Sequence, residues 1–346
     1  MMRALLLPRL TSLSGEASET SPLELREVPI PRPAEGEVLI RVRACGVCHT
    51  ELDEIEGRTS PAFFPIVLGH QVVGIVEQAP PGAAVKEGDR VGVAWIFSAC
   101  GECDACRRGE ENLCPHFRAT GRDAHGGYAE YMTAPAEFVH PIPATFEDAE
   151  AAPLLCAGAI GYRSLRLTGL QNGEPLGLTG FGASAHLVLK LVRYLYPQTP
   201  IYVFSRNPQE RAFALSLGAT WAGAIEDRAP EKLRAIIDTT PVWRPVLEAL
   251  KNLAPGGRLV INAIRKEEHD KERWLELDYA SQLWLEKEIK SVANVTRRDV
   301  REFLNLAAEA GIRPEFQEYP LEAANRALWE LKQGRIRGAK VLRVSH

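Results

Sequence analysis

Residues 175–196, PLGLTGFGASAHLVLKLVRYLY, pass from a short apolar run through a glycine turn into a helical pattern. Within them Gly180-Phe181-Gly182-Ala183-Ser184-Ala185 matches G-x-G-x-x-A. The first glycine permits a tight turn, the second lets a pyrophosphate approach the backbone, and the small third residue lets helix and strand pack closely. Phosphates would meet the helix amides at Ala183, Ser184 and Ala185. Alone, the motif fits an ordinary strand–helix turn equally well. The segments around it decide the matter.

Downstream, IYVFSR (201–206) precedes the helical NPQERAFALSLG (207–218). AIIDTT (235–240) precedes WRPVLEALKNL (243–253), and GRLVINAI (257–264) closes the series. Repeated strand–helix units of this kind predict a doubly wound parallel sheet with helices on both faces. The first ~150 residues read differently. EVLIRVRA (37–44), QVVGIVE (71–77) and YAEYMTAP (128–135) are β-branched or alternating runs separated by Gly and Pro turns. An Ala-rich helical pattern over 146–166 marks the change. A tail of two helices (301–311, 321–334) and a strand (339–344) ends the chain.

The chain has 346 residues, 45% hydrophobic and 25% charged, which suits about two globular domains. Its formal net charge of −4 gives no reason to expect nucleic acid or an anionic membrane as partner. No run approaches the ~18 apolar residues of a membrane span, and MMRALLLPRL reads as a first strand, not a signal peptide.

Seven cysteines carry the chemistry. Cys100, Cys103, Cys106 and Cys114 stand in CGECDACRRGEENLC, spaced to wrap one tetrahedral Zn²⁺ and leave no open position. Cys48 and Cys156, with His70 between them in sequence, make a three-ligand set whose fourth position is free. By itself His70 would pass for a core histidine. One closed and one open site beside a dinucleotide signal point to a zinc-dependent dehydrogenase. Six metal-assigned cysteines of seven favour a reducing, cytoplasmic setting over a disulfide framework. Cys45 is left over and is expected to pack as a small apolar residue, although Cys45-x-x-Cys48 formally resembles a redox pair.

The end of the strand 201–204 bears on cofactor choice. An NAD site places a carboxylate there, and an NADP site tends to place Arg nearby. Ser205-Arg206 stand at that spot, with Arg211 one turn on, so NADP(H) is expected over NAD(H). The bland alternative is a solvated Arg206.

These motifs together resemble the zinc-containing medium-chain alcohol dehydrogenases over essentially the whole length. The resemblance rests on Cys48-His49-Thr50-Glu51, Gly69-His70-Gln71, the four-cysteine lobe, Leu155-Cys156-Ala157-Gly158 and the glycine loop. It implies a GroES-like β-rich catalytic domain over 1–155 and 295–346, with a zinc lobe at about 98–116, and a Rossmann domain over 156–294. It implies two zinc ions, a catalytic one on Cys48, His70 and Cys156 and a structural one on the four-cysteine lobe. Glu51 would hydrogen-bond the histidine ligand. With zinc polarising the substrate oxygen, Thr50 would start a proton relay.

By the same resemblance His49 and Lys340 would touch the pyrophosphate, and Trp95 with Ile55 would wall the substrate pocket. Surface and core roles compete for Lys340 and Trp95 respectively. Thr239, Asn262 and Asn294 follow strands and would line the cofactor cleft. Three positions depart from the family: Gln71 replaces Glu, Asp53 replaces a relay histidine, and Lys340 replaces Arg. The expected reaction is reversible oxidation of a simple primary or secondary alcohol to an aldehyde or ketone by a homodimer or homotetramer. The alternatives are an NAD-preferring enzyme, a zinc dehydrogenase of polyol, threonine or formaldehyde type, and a non-enzymatic zinc protein.

Overall fold

The computed structural model describes residues 1–13, 21–335 and 337–344. The chain is α/β and divides into two compact units. The first comprises 1–159, 294–308 and 313–346, and the second 160–293 and 309–312.

The amino-terminal part of the first unit is rich in strands: β1 (Met2–Leu7), β2 (Glu24–Val28), β3 (Glu37–Val47), β4 (Ile66–Val67), β5 (Val72–Gln78), β6 (Arg90–Val93), β7 (Ile96–Ser98), β8 (Arg118–Ala119), β9 (Tyr131–Pro135) and β10 (Val139–Pro141). Interruptions are helical: α1 (His49–Ile55), the short α2 (Asp104–Arg107) and α3 (Asp148–Pro153). From α3 the chain continues through one π-helical turn, Leu154–Gly158, into α4 (Ala159–Thr168).

The second unit alternates β11 (Leu176–Thr179), α5 (Ala183–Leu195), β12 (Ile201–Phe204), α6 (Pro208–Ser216), β13 (Trp221–Gly223), β14 (Leu233–Asp238), α7 (Arg244–Asn252), β15 (Leu253–Ile261) and β16 (Glu288–Ser291). The first unit is completed by α8 (Arg297–Glu309), whose last residue belongs to the second unit, then β17 (Phe316–Pro320), α9 (Ala324–Lys332) and β18 (Ala339–Arg343).

In the first unit, β10-β6-β5-β3-β18-β17 hydrogen-bond in that order, and β9 also pairs with β3. The long β3 is antiparallel to β5, β9 and β18. Val38, Ile40 and Val42 bury one face of β3 completely, in the core that also takes Leu5, Leu7, Ile66, Tyr128 and Leu342. At ~25 cal/mol per Å², each such aliphatic side chain contributes about 1.5–3 kcal/mol. This core fixes the ends of β3 and β5, and those ends carry Cys48 and His70.

The second unit is a parallel sheet in the order β13-β12-β11-β14-β15-β16. Leu176 lies in register with Ile201 on one side and Ala235 on the other, which places β11 at the centre. Parallel neighbours require crossovers, and the intervening helices supply most of them. Continuous apolar runs such as Ile201–Phe204, fully buried, are what a strand covered on both faces requires.

The observed division differs from the sequence expectation of a break at 155/156. Residues 156–159 belong to the first unit, and 309–312 return to the second. The helical run from Asp148 to Thr168 continues through the division, so no turn residue or change in composition marks it.

Candidate metal centre and cofactor loop

Three separate elements deliver the first cluster. Cys48 ends the β3 segment and N-caps α1, with extended backbone (φ −140°, ψ −177°). Its Sγ accepts the Thr50 N–H at 3.4 Å. His70 precedes β5 and is fully buried. Gly69 has φ +95°, and any Cβ there would lie 2.4 Å from the Tyr128 ring, so only glycine delivers His70 at that angle. Cys156 sits in the π-helical turn, a geometry often found at functional sites.

His70 Nε2 stands 3.6 Å from Cys48 Sγ and 3.3 Å from Cys156 Sγ. The three ligand atoms lie within 4.8 Å of one another. A tetrahedral Zn²⁺ with ordinary Zn–S and Zn–N bonds requires S···N edges of about 3.5 Å. The cluster therefore fits that ion.

Glu51 organises this cluster. Its Oε1 lies 2.6 Å from His70 Nδ1, and its Oε2 accepts the Cys48 N–H at 2.8 Å. The second contact closes a capping box with Cys48, so Glu51 secures the helix start and the imidazole together. With Nδ1 held by the carboxylate, Nε2 is left as the ligand atom. Burial opposes charge on His70, but Glu51 and Cys48 outweigh it and raise its pKa well above the usual histidine range. The Cys48 thiol is pushed up by its hydrogen bond with Cys156, then by burial and by Glu51.

The neighbouring residues have varied roles. Thr50 is buried one residue into α1. Asp53 is buried with Oδ1 2.5 Å from Arg58 Nε, so its carboxylate is held in an ion pair. Gln71 is buried, and its side chain packs on Gly46. Trp95 is buried against Phe117, ring centroids 5.1 Å apart, with the Arg122 guanidinium 5.2 Å from its ring centroid. Ile55 corrects its sequence expectation as a pocket wall. It is fully buried in the main apolar core with Leu13 and Leu52, because α1 turns that face inward. Cys45 is also fully buried, with its Sγ on the Gly46 carbonyl. All seven cysteines are free thiols, and Cys48 faces His70, so the redox-pair alternative finds no support in this geometry.

The second cluster is the short-range one. Cys100 Sγ lies 3.5 Å from Cys114 Sγ and 4.0 Å from Cys106 Sγ, bracketing the S···S edge of about 3.8 Å that a Zn(Cys)₄ tetrahedron requires. Backbone N–H groups point at the sulfurs: Cys103 N at 3.4 Å from Cys100 Sγ, and Cys100 N and His116 N at 3.4 and 3.3 Å from Cys114 Sγ. The amides of Glu102 and Cys103 bring the Cys100 thiol down to about 6, whereas burial and the neighbouring thiols push Cys106 up to about 12.

In the second unit Gly180 has φ +76°, and a Cβ there would meet Thr239 Oγ1 at 2.8 Å. Gly182 caps α5 with no side chain bonded to the helix amides, and a Cβ on it would meet nothing within 4 Å. Open space above a helix N-terminus of this length suits a phosphate group. Ala183 and Ser184 open the helix, Ala185 packs fully buried, and Asn262 Nδ2 donates to Ser164 Oγ at 2.8 Å and Ser184 Oγ at 3.3 Å.

At the end of β12 the buried Ser205 donates from Oγ to Glu210 Oε2 at 2.5 Å. Arg206 is exposed, and Arg211 Nη1 donates to the Ser205 and Arg206 carbonyls. The carboxylate of Glu210 escaped the sequence reading because it lies six residues beyond the strand end, folded back by the first turn of α6. His49 is exposed at the start of α1.

Lys340 corrects its sequence expectation as a pyrophosphate contact. It is fully buried, and its Nζ donates to Tyr319 OH at 2.6 Å, Glu330 Oε2 at 2.7 Å and Gln317 Oε1 at 3.2 Å. All three partners lie in the first unit, so the amine is committed to tying β17, β18 and α9 together. Sequence reasoning also missed Lys266, buried with its Nζ on Asp238 Oδ2 and on the Thr240 and Val242 carbonyls. Asp238 in turn accepts from Thr179 Oγ1 at 2.7 Å, which braces the strand ends around the glycine loop.

Residues 34–144 match the model of the alcohol dehydrogenase GroES-like domain. The chain is 46% identical over 330 residues to a probable alcohol dehydrogenase, AdhA, of Mycobacterium tuberculosis, covering 94% of this chain and 93% of that one. It is 34% identical to an alcohol dehydrogenase of Geobacillus stearothermophilus, covering 93% and 96%. Among solved structures, a cinnamyl alcohol dehydrogenase of Sorghum bicolor superimposes with a TM-score of 0.82 at 26% identity, covering 99% and 97%.

Proposed function

From the premise that the chain belongs to the zinc-containing medium-chain alcohol dehydrogenase family, we propose that it interconverts simple primary or secondary alcohols with their aldehydes or ketones using NADP(H). The observation that carries the reading is His70 Nε2 set between two thiols, with Nδ1 secured by Glu51 at 2.6 Å. In this reading Cys48, His70 and Cys156 hold the catalytic zinc, and Cys100, Cys103, Cys106 and Cys114 hold a second, structural one. Zinc bound at the first site supplies a Lewis acid for the substrate oxygen, and the nicotinamide supplies the hydride donor or acceptor.

The chain's own residues supply the rest. Thr50, next to the ligand Cys48, takes the alcohol proton at Oγ1. Asp53 is paired with Arg58, so as Thr50 takes the alcohol proton its own hydroxyl proton passes to a hydroxyl of the nicotinamide ribose, where the relay ends. Trp95 presents an aromatic wall that favours uncharged substrates. Gly180, Gly182 and the amides of Ala183, Ser184 and Ala185 receive the pyrophosphate, and His49 adds a cation. Arg206, exposed beside Ser205, receives the ribose 2′-phosphate, and Ser205 can join it only by releasing Glu210.

Glu210 supports a second reading. A carboxylate bonded to Ser205 is the group an NAD site uses for a ribose 2′-hydroxyl. Aldehyde reduction by zinc-loaded protein, followed with NADPH and NADH in parallel over acetaldehyde, benzaldehyde and cinnamaldehyde, separates the two. NADPH preference supports Arg206 as the dominant group, NADH preference supports Glu210, and no turnover with either sinks both.

The reading extends to a homo-oligomer working in the cytoplasm. The edge strand β16 is largely exposed, and Tyr279, Trp284 and Leu285 expose apolar surface just before it in sequence. Among the described residues no helix is long and apolar enough to cross a membrane. Light scattering showing only monomer at micromolar concentration would refute the oligomer.

A further inference from the structure

Glu54 is a buried carboxyl near the metal cluster that the proposed chemistry leaves unused and that, unlike Asp53 on Arg58, has no aligned ion-pair partner among the described residues. It lies one turn after Glu51 on α1, at the i+3 position, and therefore on the same helix face. It is fully buried, and neither of its oxygens has an aligned hydrogen-bond partner among the described residues. The Trp95 indole Nε1 is buried and lacks an aligned partner in the same way. The indole N–H of Trp95 is near enough to act on the Glu54 carboxyl, more weakly than burial and the Glu51 charge, although no aligned hydrogen bond joins the two. Burial first, and then the charge of Glu51, push the Glu54 carboxyl well above the ordinary carboxylate range. A neutral acid in that position still offers a carbonyl oxygen to the indole N–H.

The remaining sides of Trp95 are already fixed. Arg122 covers the ring, Phe117 packs against it, and the Trp95 carbonyl accepts the Thr120 N–H at 2.8 Å. The buried N–H edge is left without an aligned partner among the described residues.

We infer that Glu54 is a positioning residue that fixes the orientation of the Trp95 indole, and through it the discrimination between aromatic and small aliphatic substrates. The discrimination rests on the alcohol dehydrogenase reading above; the pairing of the two side chains does not. α1 carries Thr50, Glu51 and Glu54 on seven residues, so the same short helix secures the proton acceptor, the imidazole and the indole wall. Buried polar groups are nearly always paired, and two orphans side by side select each other, directly or through one enclosed water.

The test uses zinc-loaded full-length protein labelled with 5-fluorotryptophan, whose six indoles give resolvable fluorine resonances, that of Trp95 being assigned by its loss in Trp95→Phe. Glu54→Met removes the acceptor at nearly constant volume, and Glu54→Gln keeps a carbonyl in place. Glu54→Met is expected to shift the Trp95 resonance. It is also expected to change the cinnamaldehyde-to-acetaldehyde ratio of kcat/KM by about fivefold, mainly through KM, the factor that one net hydrogen bond carries.

Glu54→Gln is expected to return both readouts toward wild type, a rescue that general loss of packing would not give. An unmoved resonance, an unmoved ratio, or Glu54→Gln behaving like Glu54→Met overturns the inference. If Glu54→Met fails to fold, Glu54→Asp draws the carboxyl back by one methylene and is read by the same criteria. A wild-type protein inert toward every aldehyde overturns the discrimination role together with the dehydrogenase reading, while the resonance still reports whether the pair exists.

Discussion

Replacing Glu51 by Ala separates the two tasks that one carboxylate performs. In the wild type its oxygens lie 2.6 Å from His70 Nδ1 and 2.8 Å from the Cys48 amide, and the side chain is fully buried. Alanine leaves the imidazole free to turn and Nδ1 without an acceptor. Loss of a carboxylate behind a histidine ligand weakens metal binding by about 10- to 100-fold, or about 1.4–2.7 kcal/mol. Loss of the capping box costs the helix about 1 kcal/mol more, and this second cost is present without metal. Competition against a chromophoric chelator reads the first quantity, and urea unfolding of zinc-free protein reads the second. The four-cysteine lobe lies elsewhere in the unit and serves as an internal control, because its zinc should be retained at wild-type affinity. Zinc affinity of Glu51→Ala within about twofold of wild type at the Cys48–His70–Cys156 site would refute the reasoning.

Four further expectations follow from the same geometry. Arg206→Ala should lower the NADPH-to-NADH preference by about tenfold or more, the worth of a charge-assisted hydrogen bond, in steady-state kinetics with both cofactors. Lys340→Met should cost about 1–3 kcal/mol in urea unfolding by stripping Glu330 and Tyr319 of their buried donor, with the KM for NADPH within about twofold of wild type. Cys114→Ser should release one zinc equivalent per chain in metal analysis and lower the thermal midpoint.

Glu56 supplies the pH dependence. Burial works against its charge, but hydrogen bonds from Lys332, Arg58 and the Leu13 amide prevail and hold its pKa below the ordinary value. A folded-state pKa below the unfolded one stabilises the fold above the unfolded value, near 4.3, and the stabilisation fades as pH falls through the folded value. Glu56→Gln should therefore be less stable than wild type at pH 7, with the gap closing below about pH 4.

The two candidate ligand clusters were legible because thiolates have few other uses at such spacings. Cys-x2-Cys-x2-Cys-x7-Cys leaves a folded chain little choice, and the structure brings those four sulfurs together. Cys48, His70 and Cys156 are 22 and 86 residues apart; two otherwise unexplained cysteines and a histidine suggested the set, and the family resemblance gave it the catalytic role. The parallel sheet was legible from buried β-branched runs spaced by helices. Lys340 was misread because sequence position reveals charge but not direction. On β18 its side chain points inward, to Tyr319 and Glu330, and those partners come from elements that no local pattern connects to it. Ile55 failed in the same way, since a short helix buries more than one face. Glu54 was within reach: two carboxyls at i and i+3 in Glu51-Leu52-Asp53-Glu54 announce a shared helix face. The Trp95 indole that gives the second one meaning lies 41 residues away.

The sulfur of Cys48 is at once a prospective metal ligand and the cap of α1. Coordination and backbone conformation are therefore specified by a single atom. A serine there would keep the helix start and lose the soft ligand, whereas an alanine would lose both. A protein designer seeking to move this site to another scaffold would have to carry the helix along with it, because the prospective ligand atom is also the atom that starts α1.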